Sequence, residues 1–273
     1  MNTRIRRFAW SIFLPLASLF SPVAALQLPN PPADSAQESQ VNTLLAQANY
    51  LAQTENDSRK ALALYSEALS LEGPNSEILW LISRSYLDIG SQMPASTDEE
   101  KAVQLSMYEK ALEFASRSVD ANPGNSISYT FRAMALSHIA PYKGFWESMS
   151  LMKDVRSDLE KSLELDASNH LAHFVYGGAH LKVIEKPWLI RWPLGMGWGS
   201  REEALSHFIE AVNLRWDVVK YRLACANLHV EEENFDLARA HLTLIPYLDP
   251  QNRGDVVLRS KALEILKDLP DEN

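Results

Sequence analysis

Cysteine is almost absent from this sequence. Cys225 is the only one in 273 residues, so no internal disulfide can form and the fold must be held by a core of its own. Excess positive charge is absent as well: 26 Lys and Arg stand against 35 Asp and Glu, a formal net charge of −9. That excludes nucleic acid as an expected partner and disfavours an anionic membrane surface, because both are bound through clustered positive charge. Beyond residue 41 no stretch alternates apolar and polar residues with period two, which argues against strands. No GxSxG, HExxH, Walker A or GxGxxG pattern occurs, so the usual signatures of hydrolytic, zinc and nucleotide chemistry are missing. What is present is 46% hydrophobic residues, enough for a sizeable core and too many for a disordered chain.

The first residues read as an export signal. Arg4, Arg6 and Arg7 precede an apolar run from Phe8 to Phe20, and the small residues of Ser21-Pro22-Val23-Ala24-Ala25 follow. Cleavage is expected after Ala25, leaving residues 1–25 as a signal peptide and placing the chain outside the cytosol, in a periplasm. The run is short for a span of about 20 residues, and its alternative is an uncleaved anchor, the one route by which a membrane enters as a partner. No cysteine lies near the cut, against a lipoprotein, and the surroundings of Arg6-Arg7 fit a twin-arginine signal poorly. Removing the three leader arginines leaves 23 basic and 35 acidic residues, a net charge of −12. Residues 26–40, LQLPNPPADSAQESQ, hold three prolines and no apolar period, which predicts an extended linker with structure starting near Val41.

From residue 41 to residue 273 the apolar spacing is helical, and a repeat lies within it. Its mark is a small residue, a larger apolar one four later, another small one three after that, and a proline five further on. Ala61, Tyr65 and Ala68 fit, with Pro74 one place late; Ala111, Ala115, Ser118 and Pro123 fit in full. Val155, Leu159, Ser162 and Ala167 fit more weakly. Ala204, Phe208, Ala211 and Trp216 follow, and Ala238, Leu242, Ile245 and Pro250 close the series. The first members lie 50, 44, 49 and 34 residues apart, and a period of about 34 is that of tetratricopeptide hairpins. Each copy has an upstream partner helix: NTLLAQANYLAQ, ILWLISRSYLDIG, ISYTFRAMALS, LAHFVYGGAHL and KYRLACANLHV. The predicted fold is therefore all-α, a tetratricopeptide-repeat superhelix of about five hairpins. A terminal helix in GDVVLRSKALEILKDL caps it, with Asp255 as its cap and Leu258, Ala262, Leu266 and Leu269 on one face.

The surplus over 34, namely 16, 10 and 15 residues, falls between the first and second helices of the second, third and fourth repeats. All three insertions should thus leave one edge of the stack. SQMPASTDEEKAVQL reads as a lengthened second helix, and Ser200 with Glu203 as a capping box. The third insertion holds Tyr142, Phe145 and Trp146. The fourth, within EKPWLIRWPLGMGWGSREEAL, holds Trp188, Trp192 and Trp198, and its prolines and glycines forbid one continuous helix. These rings are expected to pack on each other as a wall over the concave side, the alternative being that they only cap hairpin ends.

In such arrays the first helices line the concave surface. The groove should show Tyr50, Trp80, Leu87, Ile127, Thr130, Met134, Leu171, Phe174, Leu181, Leu223, Asn227 and Val230. This set is apolar and suits a hydrophobic ligand or protein segment. The alternative is that a short array closes and buries them as core. His170, His173 and His180 share one helix, which opens a metal-dependent enzyme as a less favoured reading. No Asp, Glu or Cys completes a ligand set at fixed spacing, and His229 repeats the place of His180, as a packing residue would. His138 and His207 lack an acid or nucleophile partner at motif spacing. Ser150 and Lys153 match S-x-x-K without the triplets that accompany it in penicillin-binding enzymes. Cys225 lies among Leu223, Ala224 and Ala226, as a buried inert thiol would. Neither catalysis nor a cofactor is expected.

Taken together, ILWLISRSYLDIG, KSLELDASNHLAHFVYGGAH and KPWLIRWPLGMGWGSREEALSHFIEAVNL resemble the regulator of microtubule dynamics family of tetratricopeptide proteins. The resemblance covers about residues 44–267, with Ala167 and Trp216 where the family pattern has proline. It implies a helical scaffold. The microtubule role in the family's name does not carry over, because an exported, acidic chain is separated from acidic tubulin. By architecture and compartment the chain is also similar to the periplasmic tetratricopeptide component of some tripartite solute transporters, so a transport or envelope-assembly complex is the alternative role.

Overall fold

Helices pair along the whole of the described chain, residues 33–270 of the computed structural model, and no strand occurs among these residues. The expected signal peptide and residues 26–32 of the linker lie outside them. The first hairpin is α1 (Ala33–Gln53) with α2 (Ser58–Glu72), the second α3 (Ser76–Ser91) with α4 (Asp98–Ala121), the third α5 (Ser126–Ile139) with α6 (Phe145–Leu165). The fourth joins α7 (His170–Ile184) to α9 (Arg201–Leu214) through the short α8 (Trp188–Arg191). The fifth is α10 (Val219–Glu231) with α11 (Phe235–Leu242), and α12 (Arg253–Asp268) closes the stack. Among the described residues no helix is long and apolar enough to cross a membrane.

The repeat spacing works by close approach. Ala61, Ala111, Val155, Ala204 and Ala238 are fully buried, and so are Tyr65, Ala115, Leu159 and Leu242 four residues on, with Phe208 nearly so. The third set, Ala68, Ser118, Ser162, Ala211 and Ile245, is also inaccessible. A small side chain lets the facing backbone come near, and the larger one then fills the gap beside it.

Two of these small positions are serines, and they stitch consecutive repeats. Ser118 Oγ donates to Ser76 O at 2.7 Å and lies 2.6 Å from Ser128 Oγ, while Asn125, the N-cap of α5, donates to Ser76 Oγ at 3.0 Å. One repeat later Ser162 Oγ donates to Ser126 O at 2.9 Å, and Asn169, the N-cap of α7, donates to Ser126 Oγ at 2.7 Å. Thr130 Oγ1 joins the second group, 2.8 Å from Ser162 Oγ. Because every buried hydroxyl here finds a partner, the polar groups fix register without an unmet desolvation cost.

Helix ends depart from expectation in instructive ways. The linker expected over 26–40 is helical from Ala33: residues 33–40 contain no proline or glycine, and Gln37 Nε2 donates to Leu71 O at 2.5 Å, holding the extra turns against α2. With only Ala33 and Ala36 among polar residues, the stretch leaves no apolar period to read. The insertion before α4 is a lengthened helix opened by a reciprocal Thr97–Glu100 capping box. At α9 only half of the expected box forms. Ser200 Oγ accepts from Glu203 N at 3.2 Å, but the Ser200 N–H goes to His180 Nδ1 at 3.3 Å, so Glu203 has no donor to reach back for. The cap of α12 is Asn252 rather than Asp255, whose carboxylate accepts from Gln251 N instead. Without proline, α6 stops where Asp166 turns the chain by accepting from Ser168 N, and α9 stops before the paired Arg215 and Asp217.

The fourth hairpin is packed most tightly at Gly177. A Cβ there would lie 2.6 Å from Phe208 Cε1 and 2.9 Å from Ala204 O, whereas one on Gly178 meets nothing within 4 Å. Gly177→Val is therefore expected to destabilise the fold by about 1–3 kcal/mol through overpacking. Gly178→Ala should stabilise it by about 0.5–1 kcal/mol through helix propensity. Chemical denaturation of the two variants checks this opposite pair of signs.

Candidate functional site

The aromatic insertions do not build the expected wall. Tyr142 turns inward: its ring lies 6.2 Å from that of Tyr108 and its hydroxyl donates to Gln104 Oε1. Phe145 and Trp146 contact each other edge to face at 5.2 Å, and Trp188 and Trp192 stack at 5.7 Å. Trp198 packs on Tyr176 at 6.1 Å and on His180 at 5.0 Å, with Arg156 over its ring. Among the described residues no ring contact joins the third insertion to the fourth. The reason is that the third is absorbed into the start of α6, while the fourth is pinned to the core under it. Met196 is fully buried against the cluster of Met149 and Met152, and Arg191 Nη1 closes the loop by donating to Gly199 O at 3.0 Å. Trp198 and Leu194 thus cap a core, whereas Trp188, Trp192 and Trp146 stay 54%, 61% and 71% exposed on the rim.

Of the predicted groove residues, Leu87 and Leu223 are buried in the core, and Thr130 belongs to the polar stitch. They fall on the inner side because a helix between two neighbours buries more of its circumference than a two-faced pattern allows. Trp80, Ile127, Met134, Leu171, Phe174, Leu181, Asn227 and Val230 are half-buried, and Tyr50 is exposed, its hydroxyl donating to Glu55. Trp80 stacks on Phe131 at 5.2 Å with an interplanar angle of 10°, and Phe174 meets Tyr221 at 4.8 Å.

This surface is not purely apolar, as the sequence reading had it. Arg84 sits over Trp80 and donates to Tyr65 Oη at 2.9 Å. Burial raises the Asp88 carboxyl above its ordinary range, opposed by Arg84 and by Lys220. Lys220, from the fifth repeat, lies 5.3 Å from the Phe174 ring. Its side chain reaches water, yet crowding by protein lowers its ammonium, opposed by Asp88 and Asp255. Arg84, Asp88 and Lys220 were missed because they come from different repeats and share no spacing. The aromatic flanks were the visible part.

The histidines of α7 are engaged with protein partners. His170 Nδ1 lies 2.7 Å from the Tyr221 hydroxyl. His173 Nε2 donates to Ala167 O at 3.2 Å, so its Nδ1 accepts from His207 Nδ1–H at 2.9 Å. His180 accepts from Ser200 N. Among the described residues no group of three His, Cys, Asp or Glu is placed to hold a metal. His207, read from sequence as partnerless, is the hub: its ring stacks on Tyr176 at 4.5 Å and lies 5.7 Å from His180. Cys225 is buried among apolar neighbours, which pushes its thiol up to about 12.

Stacked hairpins with a concave face lined by first helices define a tetratricopeptide-repeat protein. The chain belongs to the regulator of microtubule dynamics family, whose model, Regulator of microtubule dynamics protein 1-3, matches residues 44–270. Regulator of microtubule dynamics protein 1 of Bos taurus is 24% identical over 248 residues, covering 88% of this chain and 75% of the relative. Regulator of microtubule dynamics protein 3 of Bos taurus is 26% identical over 187 residues, 65% of this chain and 38% of the relative. Among solved structures, TTC0263, a thermophilic tetratricopeptide protein of Thermus thermophilus, superposes with a TM-score of 0.59 at 18% identity, over 82% of this chain and 99% of that one.

The histidine cluster makes stability depend on pH. Burial, then Arg156, lowers His180 to about 4. Burial, then His173 and His180, does the same to His207. An unfolded histidine titrates near 6.5. Protons therefore bind the unfolded chain first, so stability is full above about pH 6.5 and falls as pH drops from there towards 4. The thermal midpoint should decline by several degrees between pH 7 and pH 5, and His207→Gln should flatten that slope. Melting followed by circular dichroism at both pH values checks it.

Proposed function

We propose that the protein is a non-catalytic, exported scaffold that holds an extended or helical segment of a protein partner in its concave groove. The observation that carries this reading is the groove's composition. Two half-buried rings, Trp80 backed by the buried Phe131 and Phe174 backed by the buried Tyr221, carry Arg84 and Lys220 beside them, with Asp88 within electrostatic reach of both charges. Aromatic anchors beside an arginine are the composition of binding hot spots. Apolar side chains of the segment cover the rings, and a polar or anionic group meets Lys220, whose ammonium has lost part of its hydration. The repeat fold and the family relationship support a scaffold rather than an enzyme. Export rests on the leader-like residues 1–25, and a place in an envelope or transport complex follows only if export holds. The relatives' names concern microtubule dynamics; an exported chain would meet a different partner in the same groove. The exposed Trp188 and Trp192 extend the contact at the rim.

The test is affinity capture of partners with the full chain, identified by mass spectrometry, repeated with a Trp80→Ala/Phe174→Ala variant of unchanged circular dichroism. Capture of the main protein partner is expected to fall more than tenfold, and Lys220→Ala alone to weaken it severalfold. Undiminished capture by the folded double variant removes the groove from the function.

A further inference from the structure

A second concavity lies away from the groove, along the edge where the insertions leave. Ala95 from the second insertion and Pro141 and Tyr142 from the third meet Tyr108, Ser137, His138, Lys101 and Lys182 around a cleft of about 710 Å³. Cavities of roughly 300–1,000 Å³ hold drug-sized ligands.

Its wall is aromatic and fixed. Tyr108 is 4% exposed, and the His138 ring stacks on it at 4.7 Å. On the other side Tyr108 lies against Gly90, where a Cβ would come within 2.6 Å of its Cε1. Tyr142 is held by Gln104, which is itself anchored by donating from Nε2 to Gly90 O at 2.8 Å. Backed by the buried Tyr108, the half-buried His138 and Tyr142 rings present fixed faces that lose little further side-chain entropy on binding.

Its polar groups are unspent. The Tyr108 hydroxyl, the His138 ring nitrogens and the Ser137 hydroxyl make no hydrogen bond among the described residues. Burial lowers the His138 imidazole, so it stays neutral around pH 7. In a chain with a net charge of −9, no Asp or Glu among the described residues lines this cleft, and the formal charges that do are the ammoniums of Lys101 and Lys182. Each lysine is otherwise engaged only in an exposed pair within its own helix or at its end, with Asp98 at 3.3 Å and Glu185 at 2.6 Å. Such pairs are weak enough for a ligand's charge to compete.

We propose that the cleft is a small-molecule site for an aromatic carboxylate, whose ring lies against His138, Tyr142 and Pro141, with Tyr108 behind them, while its carboxylate pairs with Lys101 and Lys182. The chemistry follows from the lining: an aromatic wall selects a flat apolar body, and positive charge without a counter-carboxylate in the lining selects an anion. This site is independent of the groove and of any protein partner there.

The experiment is calorimetric titration of the full chain with 2-naphthoate and with its neutral counterpart 2-naphthalenemethanol. The acid is expected to bind at least tenfold more tightly. Lys101→Glu/Lys182→Glu, both at exposed positions, should abolish that preference. Trp188→Ala/Trp192→Ala, which removes the rings exposed elsewhere, should leave the affinity unchanged. Absence of naphthoate binding, equal binding of acid and alcohol, or loss of binding in the tryptophan variant each overturns the proposal.

Discussion

Everything in this stack follows from how closely one helix can approach the next. Where Ala61, Ala111, Val155, Ala204 and Ala238 face the preceding helix, there is no room for a long side chain. The neighbouring Tyr65, Leu159, Phe208 and Leu242 then fill the space that close approach leaves beside the contact. Repeating this contact with a constant small rotation curves the array, and the curvature makes an inner face. Gly177 carries the same constraint furthest, since even a methyl group there would collide with Phe208 and with the backbone of Ala204.

Close packing sets the distance between hairpins but not their register, because apolar surfaces can slide. The serines at positions 118 and 162 supply what the alanines elsewhere do not. Each ties its helix to the next hairpin's start and is bonded in turn by or beside an N-cap asparagine. The Arg132–Asp158 pair, bidentate at 2.8 and 2.6 Å with Asp158 almost fully buried, acts similarly within the third hairpin. At the two ends apolar packing of α1 and α12 closes the stack, joined by bonds such as Tyr65 to Asn49 and Arg239 to Pro270 O.

Curvature also explains how an acidic chain comes to hold two concave surfaces with basic groups in them. Charges from the second and fifth repeats, Asp88 and Lys220, come within electrostatic reach of each other beside Trp80 and Phe174. At the insertion edge, two loops and the ends of α4, α5 and α7 enclose a cleft lined by Lys101 and Lys182. The fourth insertion serves both: Met196 and Trp198 seal the core beneath it, and this anchoring is what holds Trp188 and Trp192 out in solvent.

Read alone, the sequence determined the all-α class, the five hairpins, the capping helix and the edge from which the insertions leave. Those features are encoded locally, in helical spacing, small residues and turn signals within a few tens of residues. Trp80 and Phe174, which it assigned to the inner surface, are half-buried and each packs on a buried ring. It misjudged Leu87, Leu223 and Thr130, whose burial depends on how far neighbouring hairpins wrap around them. Only the tertiary structure decided that the aromatic insertions stay apart, that His207 joins His173 and His180, and that Lys220 comes to act on Asp88. Each of those depends on the angle at which distant hairpins face one another, which is a sum over many packed contacts and leaves no mark at any single spacing.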